Sequence, residues 1–346
     1  MLYIHKASCI SPQNTFNNVD LSILMPSFEN MLRAIEPGYE GIPPGQLRRM
    51  GKAVRLGVGA ALPLLKDSPQ LAGIILGTAN GGMEDCIKFL NQIIDYDEGT
   101  LTPTNFVQST TNAIASQIAF MSGNKGYNIT HVHRGLSFEN ALQDAMMHAI
   151  EDPTKTYLLG GVDEISDYNF NIDFLLGCFK EKFTSNDALF NANTPGTIAG
   201  EGAAMFLVGG QKENSLACMH ALSVLTSTDE RELKESFAEF IYSNNINLEE
   251  VDVFISGENG DRRQDNFNTE IELAMPPEIG IVRYKHLTGE YPSASAFSLW
   301  LACHLAQGNT APAHMVKKVG AKKTCRNILV YNCYQGLQHS FMHVTS

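Results

Sequence analysis

Five short runs of nearly unbroken apolar residues constrain the fold of this 346-residue chain more than any other feature. They are LAGIILG at residues 71–77, YLLGG at 157–161, AAMFLVG at 203–209, VDVFIS at 251–256 and NILVYN at 327–332. Each ends on Gly, Ser or Asn, and none alternates cleanly between apolar and polar. That is the pattern of a strand covered on both faces rather than one. Helical periodicity falls at residues 45–65, 82–94, 112–121, 138–150, 230–242 and 294–306, the fifth of these opening on a capping-box spacing from Ser227 to Glu230. Strands and helices in this alternation predict a layered α/β architecture.

A polar stretch, QKEN at residues 211–214, follows Gly209 and Gly210 and is the expected hinge between two halves, 1–211 and 212–346. Segments 180–200 and 257–268 are polar and irregular, and read as long loops with a structural or functional task. A composition of 44% hydrophobic and 18% charged residues is globular, and the length suffices for two core-forming units. The net charge of −12 argues against a nucleic-acid partner, which needs a basic stripe. No apolar run reaches the roughly 18–20 residues of a membrane span, and the first residues lack a secretory signal, so a cytoplasmic location is expected. Seven scattered cysteines without a CxxC spacing predict neither a disulfide framework nor a zinc site, but mostly small buried hydrophobes.

Chemistry concentrates at residues 128–145, NITHVHRGLSFENALQDA. A β-branched strand over 129–132 turns tightly at Gly135 into a helix rich in small residues. Such a turn presents one side chain beside a helix N-terminus, a favourable place for a nucleophile. Gly135 has no side chain to present. Ser137 offers a hydroxyl for a helix N-cap, the preferred reading over a substitute nucleophile. His131 and His133 alternate on the strand and share a face, as at the start of some metal sites. No further ligands share their spacing, so packing at the strand surface is expected and no metal. GTANGG at 77–82 satisfies neither a phosphate loop nor a dinucleotide fingerprint and reads as a tight turn with close backbone packing. Cys303, within SLWLACHLA, reads as buried.

Taken in order, the motifs resemble the β-ketoacyl synthase family of the thiolase superfamily. They are RRMGKAVRLGVGAA (48–61), GTANGGMED (77–85), PTNFVQSTTNAIASQIA (103–119), GGVDE (160–164), GEGAAMFLV (200–208), KHLTGEYPSASA (285–296) and VYNCYQG (330–336). The resemblance implies a five-layer αβαβα fold of two duplicated halves that dimerises through the strand before the turn. In that family a turn cysteine accepts an acyl chain from an acyl carrier protein, and two histidines assist condensation. Carried over, the cysteine position falls on Gly135 with Ser137 retained. One histidine position falls on Glu290, with the preceding lysine kept as Lys285. The other falls on Gly257 or a neighbour in SGENGD, with Asp265 matching the acidic residue that follows.

Without a thiolate there is no covalent acyl intermediate, and Glu290 brings the wrong sign of charge to a developing enolate. The expectation is therefore no catalytic residue and no cofactor, with only a backbone donor surviving at Gly135. The chain resembles the non-catalytic chain-length factors, and more closely the compact accessory ketosynthase-like proteins of aryl polyene and flexirubin-type pathways. The implied partners are an active ketosynthase, in a heterodimer, and an acyl carrier protein. Two rival readings stand beside it. One is an enzyme of altered chemistry using Glu290 as general base with His131 or His133, and Ser137 and Lys285 nearby. The other is a homodimeric acyl-binding scaffold.

Overall fold

The computed structural model describes residues 1–66, 71–322 and 324–346. Eleven strands form one mixed sheet: β1 (Leu2–Ile10), β2 (Gly73–Gly77), β3 (Tyr127–His131), β4 (Thr156–Asp163), β5 (Gly202–Gly209), β6 (Ala217–Thr226), β7 (Val253–Ser256), β8 (Gly280–Arg283), β9 (Val316–Lys318), β10 (Asn327–Tyr334) and β11 (Gln338–Thr345). Their order is β9-β8-β7-β10-β11-β6-β1-β5-β4-β2-β3. The two ends of this order repeat one another. In the first half β3, β2 and β4 run parallel, and β5 and β1 follow antiparallel. In the second, β8, β7 and β10 run parallel, and β11 and β6 follow antiparallel. The halves meet where Leu2–Ile4 of β1 pair with residues 217–219 of β6.

Helices fill the remaining layers. The longer ones are α1 (Lys52–Leu65), α2 (Met83–Asp95), α3 (Ala113–Ser122), α4 (Ser137–Glu151), α5 (Asp167–Leu175), α6 (Glu230–Ser243), α7 (Asp265–Leu273) and α8 (Ser295–Ala306). One core joins α1 and α3 to the outer face of the first half through residues such as Val54, Ile114, Ile74 and Leu158. A central core sets α4 and α8 between the halves, with Ile75 and Phe206 on one side and Ile255 and Val330 on the other. A third packs α6 and α7 outside the second half, through Leu233, Phe237, Ile271 and Phe254. The result is the five-layer αβαβα arrangement of duplicated halves. In α8 every residue but His304 is buried, as its largely apolar sequence requires of a helix between two sheets. In α6 only Leu233, Phe237 and Phe240 are buried, on one stripe of an acidic helix.

Three expectations need correction. The helix expected over 45–65 is a short turn, Pro44–Leu47, then α1 proper, because Gly51 takes an extended backbone at its start. The cap of α6 is Asp229, which accepts from the Arg231 N–H at 2.8 Å; Ser227 instead accepts from the Asp229 N–H and donates to Glu232. Strands β1, β6 and β11 escaped the apolar-run criterion because polar residues such as His5, Lys6, His220 and His343 interrupt them.

The exposed turn at 211–214 carries the chain from β5 into β6. The polar segments 180–200 and 257–268 pack on each other around one buried cation. Lys180, 2% exposed, donates to the carbonyls of Thr194 (3.1 Å), Gly196 (2.8 Å) and Gly260 (2.9 Å) and to the Thr194 hydroxyl (3.0 Å). Among the described residues, no helix is long and apolar enough to cross a membrane.

Candidate functional site

Strand β3 ends at His131, and a single 3-10 turn, Arg134–Leu136, leads directly into α4. Arg134 takes φ +48°, a left-handed conformation unfavourable for a side chain with a Cβ, so the backbone strain sits one residue before Gly135. Gly135 is buried, and a Cβ placed on it would lie 2.4 Å from both Cβ and Cγ of Tyr334. Tyr334, the last residue of β10, thus fills the room into which a side chain at 135 would point. The Gly135 N–H is also engaged, donating to Gln338 Oε1 at 2.8 Å. The backbone donor expected to survive there is closed off by the first residue of β11.

Ser137 is fully buried. Its Oγ accepts from the His133 N–H at 2.8 Å and donates to the Arg134 carbonyl at 2.8 Å. It staples the turn and does not cap α4, whose N-cap is Leu136; the N-cap expectation is corrected because the 3-10 turn runs into the helix without a break. His131 and His133 part company. His131 Nε2 lies 3.0 Å from Asp144 Oδ2, while His133 falls beyond β3, is exposed, and pairs with Asn140 at 3.1 Å. Among the described residues, no group of three or more His, Cys, Asp or Glu is arranged to hold a metal.

The turn at 77–82 packs backbone to backbone, since a Cβ at Gly77 would meet the Ser137 carbonyl at 2.4 Å. Asp163, at the end of β4 and fully buried, gathers that turn. It accepts from the Ala79 and Asn80 N–H groups and the Thr78 hydroxyl on one oxygen, and from the N–H and hydroxyl of Ser293 on the other. Burial raises its carboxyl while these donors pull it down.

Beyond Tyr334 lies a cavity of about 490 Å³, walled by the two polar loops, the start of α5 and the segment 290–292. Glu290 lines it and is 6% exposed. Its two oxygens are divided: Lys285 Nζ donates to Oε1 at 2.5 Å and the Asn259 amide to Oε2 at 2.9 Å. Lys285 is wholly buried, so this is an interior ion pair with an added amide. Gly257 lies elsewhere. A Cβ there would stand 2.8 Å from the Asn332 Cα and the Tyr331 carbonyl, so the backbone of β10 forbids any side chain at that position. Asp265 is exposed at the start of α7 and does not line the cavity.

Glu164 lines the cavity, and burial pushes its carboxyl up to about 7. Cys178 also lines it, receives the Gln335 amide at 3.5 Å, and has its thiol pushed up by burial, which disfavours a thiolate. No imidazole is among the lining residues. Glu290 therefore faces an ammonium and an amide, and the pairing with His131 or His133 that the altered-enzyme reading needs is not formed.

The first half of the chain carries a family signature. Residues 29–172 match the model of the β-ketoacyl synthase N-terminal domain. A β-ketoacyl synthase from Burkholderia phymatum STM815 superposes with a TM-score of 0.79 over 99% of this chain and 98% of its own, at 12% identity. The chain has the fold of a ketosynthase. The ishigamide ketosynthase/chain length factor superposes on this chain with a TM-score of 0.75 at 13% identity, covering 100% of this chain and 98% of its own. So does a ketosynthase (ApeO) in complex with its chain length factor (ApeC) from Xenorhabdus doucetiae, with a TM-score of 0.76, 13% identity and coverages of 99% and 97%. No curated protein sequence matches.

Three groups that shape this site carry no functional signal in the sequence. Tyr334 lies within VYNCYQG, which was visible as a motif but carried no role. Asn259 lies in SGENGD, where a histidine was sought. Gln338, two residues beyond the last motif, gave no local signal at all.

Proposed function

We propose that this ketosynthase-like chain is a non-catalytic subunit of the chain-length-factor kind. It pairs with a cysteine-bearing β-ketoacyl synthase in cytoplasmic type II polyketide, aryl polyene or fatty-acid-type chain elongation. The observation that carries this reading is Tyr334 in the room of the residue 135 side chain, with Gln338 on the 135 N–H. A condensing enzyme needs a thiolate at that turn and free donors for the oxyanion beside it. Here one β-hairpin, β10–β11, takes up both places. Restoring a cysteine alone restores neither function.

Strand β3 supports the pairing. It is the last strand of the sheet, with β2 on one side and no strand on the other among the described residues. An edge of this kind presents unpaired N–H and C=O groups to a second chain. Val132, just past it, is 52% exposed, and Ile172 and Leu175 of α5 are exposed as well. The chain's excess of acid makes a poor face for an acidic carrier protein, so the basic docking surface would belong to the partner. The test is purification of the chain from its native cells with mass spectrometry of what accompanies it. One cysteine-bearing ketosynthase at equal stoichiometry is expected; a chain that emerges only with itself refutes the pairing.

A further inference from the structure

The outer layer of the second half carries most of the chain's net charge. Residues 229–278 hold fourteen Asp and Glu against four Lys and Arg, so ten of the twelve net negative charges fall on fifty residues. Within that acidic segment lies an open apolar groove of about 490 Å³. One stripe of α6 supplies Phe237, Ala238, Ile241 and Tyr242, and the chain just beyond the helix adds Ile246 and Leu248. Ala238 is exposed and Tyr242 is 81% exposed, so the groove faces solvent. Glu239 follows Ala238, and Glu249 and Glu250 follow Leu248. All three are exposed, and none has an ion pair among the described residues. Glu239 receives the Ser243 hydroxyl and Glu250 the Asn247 amide, both neutral donors. The cations nearby are committed: Lys234 to Glu270 at 2.5 Å, and Lys322 to Asp252 at 3.0 Å and to the carbonyls of Glu249 and Glu250.

Covering this groove takes an apolar face, and the free carboxylates beside it set the charge at the margins of that face. An acidic segment is repelled, and so is a membrane surface, whose anionic lipids carry the same sign. A helix with apolar anchors at i, i+3, i+4 and i+7, flanked by lysines and arginines, satisfies both demands. We propose that the groove is a docking site for a basic amphipathic helix of a partner protein. Its apolar anchors take the place of water over Ile241 and Leu248. Its long cationic side chains lay their stems along the apolar lip and bring their heads to Glu239, Glu249 and Glu250. The groove lies outside the second half, whereas the pairing with a ketosynthase uses β3, at the other end of the sheet. The two readings therefore stand or fall separately.

The test uses the full chain as purified, with any partner it retains, and three synthetic peptides of about four helical turns. The first is a leucine–lysine helix with its leucines on one face. The second replaces each lysine by glutamate, and the third keeps the first composition with the leucines scattered around the helix. Titration calorimetry is expected to show the first binding at one site, about tenfold or more tighter than the other two. Ala238→Arg, at an exposed position, puts a cation into the groove and is expected to weaken that peptide by about tenfold or more. Glu239→Gln with Glu249→Gln is expected to weaken it about tenfold and to flatten its salt dependence. Asp95→Asn with Glu98→Gln removes the same charge from exposed positions of the first half and is expected to leave binding unchanged. Equal binding of the acidic or the scattered peptide overturns the proposal, as does unaltered binding to the Ala238→Arg chain. Equal weakening by the first-half variant reduces the effect to net charge and overturns it too, as does absence of binding by the leucine–lysine helix. None of these results bears on the pairing with a ketosynthase, which is read by co-purification.

Discussion

Replacing Gly135 by Ala is a direct test of what fills the turn. The added methyl would sit 2.4 Å from the Cβ of Tyr334, an atom anchored to the β10 backbone that no rotamer change can move aside. Either strand or turn must shift, and overpacking of this kind costs about 2–3 kcal/mol. The single tryptophan, Trp300, is buried in α8 within the central core and reports unfolding in urea. With a slope near 3 kcal/mol per molar, the midpoint falls by roughly 1 M. Tyr334→Gly alone empties a buried aromatic site and costs about 3–5 kcal/mol. In the double variant the steric conflict has gone, so the Gly135→Ala penalty disappears and the pair matches Tyr334→Gly to within about 0.5 kcal/mol. Full additivity of the two substitutions refutes the contact, and with it the closed nucleophile position. So does a Gly135→Ala midpoint equal to that of the unaltered chain.

Other expectations follow from the same geometry. Lys285→Met leaves Glu290 buried without its ammonium and lowers thermal stability by about 3–5 kcal/mol, whereas Lys285→Met with Glu290→Leu recovers most of it; equal losses in both would exclude the ion pair. Glu139 is fully buried and accepts from the Ser340 hydroxyl, and burial pushes its carboxyl up to about 7. The fold thus favours the protonated form, and the contribution of Glu139 to stability declines by about 3 kcal/mol as pH rises from about 4.5 to about 7, then levels. Unfolding curves of Glu139→Gln across that range should lose this decline, and an unchanged slope counts against it. Val132→Asp, at a half-exposed site past the edge strand, should abolish co-purification of a ketosynthase while leaving the melting temperature within a degree or two; retained pairing would move the interface elsewhere. Gly135→Cys should yield no condensation in a radiolabelled malonyl assay, and measurable product would sink the non-catalytic reading.

The layered fold was legible because β2, β4, β5, β7 and β10 are covered on both faces and therefore apolar at nearly every position. Strands β1, β6 and β11 were less so, since His5, Lys6, His220 and His343 break the run. At the site, what is missing could be read and what replaces it could not. Gly135 announces an absent side chain. That Tyr334 occupies its place depends on a contact between residues about two hundred positions apart, and neither residue type is unusual where it stands. The same holds for Gln338 on the Gly135 N–H. Lys285 and Glu290 are five residues apart and were noticed together. Their partner Asn259 arrives from a loop whose shape depends on Lys180, a lysine indistinguishable in sequence from any surface one.

The shared central layer has a consequence for how the protein is made. By the time the ribosome has produced β5, the first half has all its strands, β1 to β5, and both outer helices. Yet the face of α4 that will meet α8 and the second sheet is still bare. At ordinary translation speeds the rest of the chain takes on the order of ten seconds to emerge. The second half cannot close earlier, because β11, which sits between β10 and β6, is made after both. For that interval each nascent copy displays a sticky apolar surface. Slowing translation past residue 211 should therefore increase aggregation, and chaperone occupancy on the nascent chain should peak in the same window.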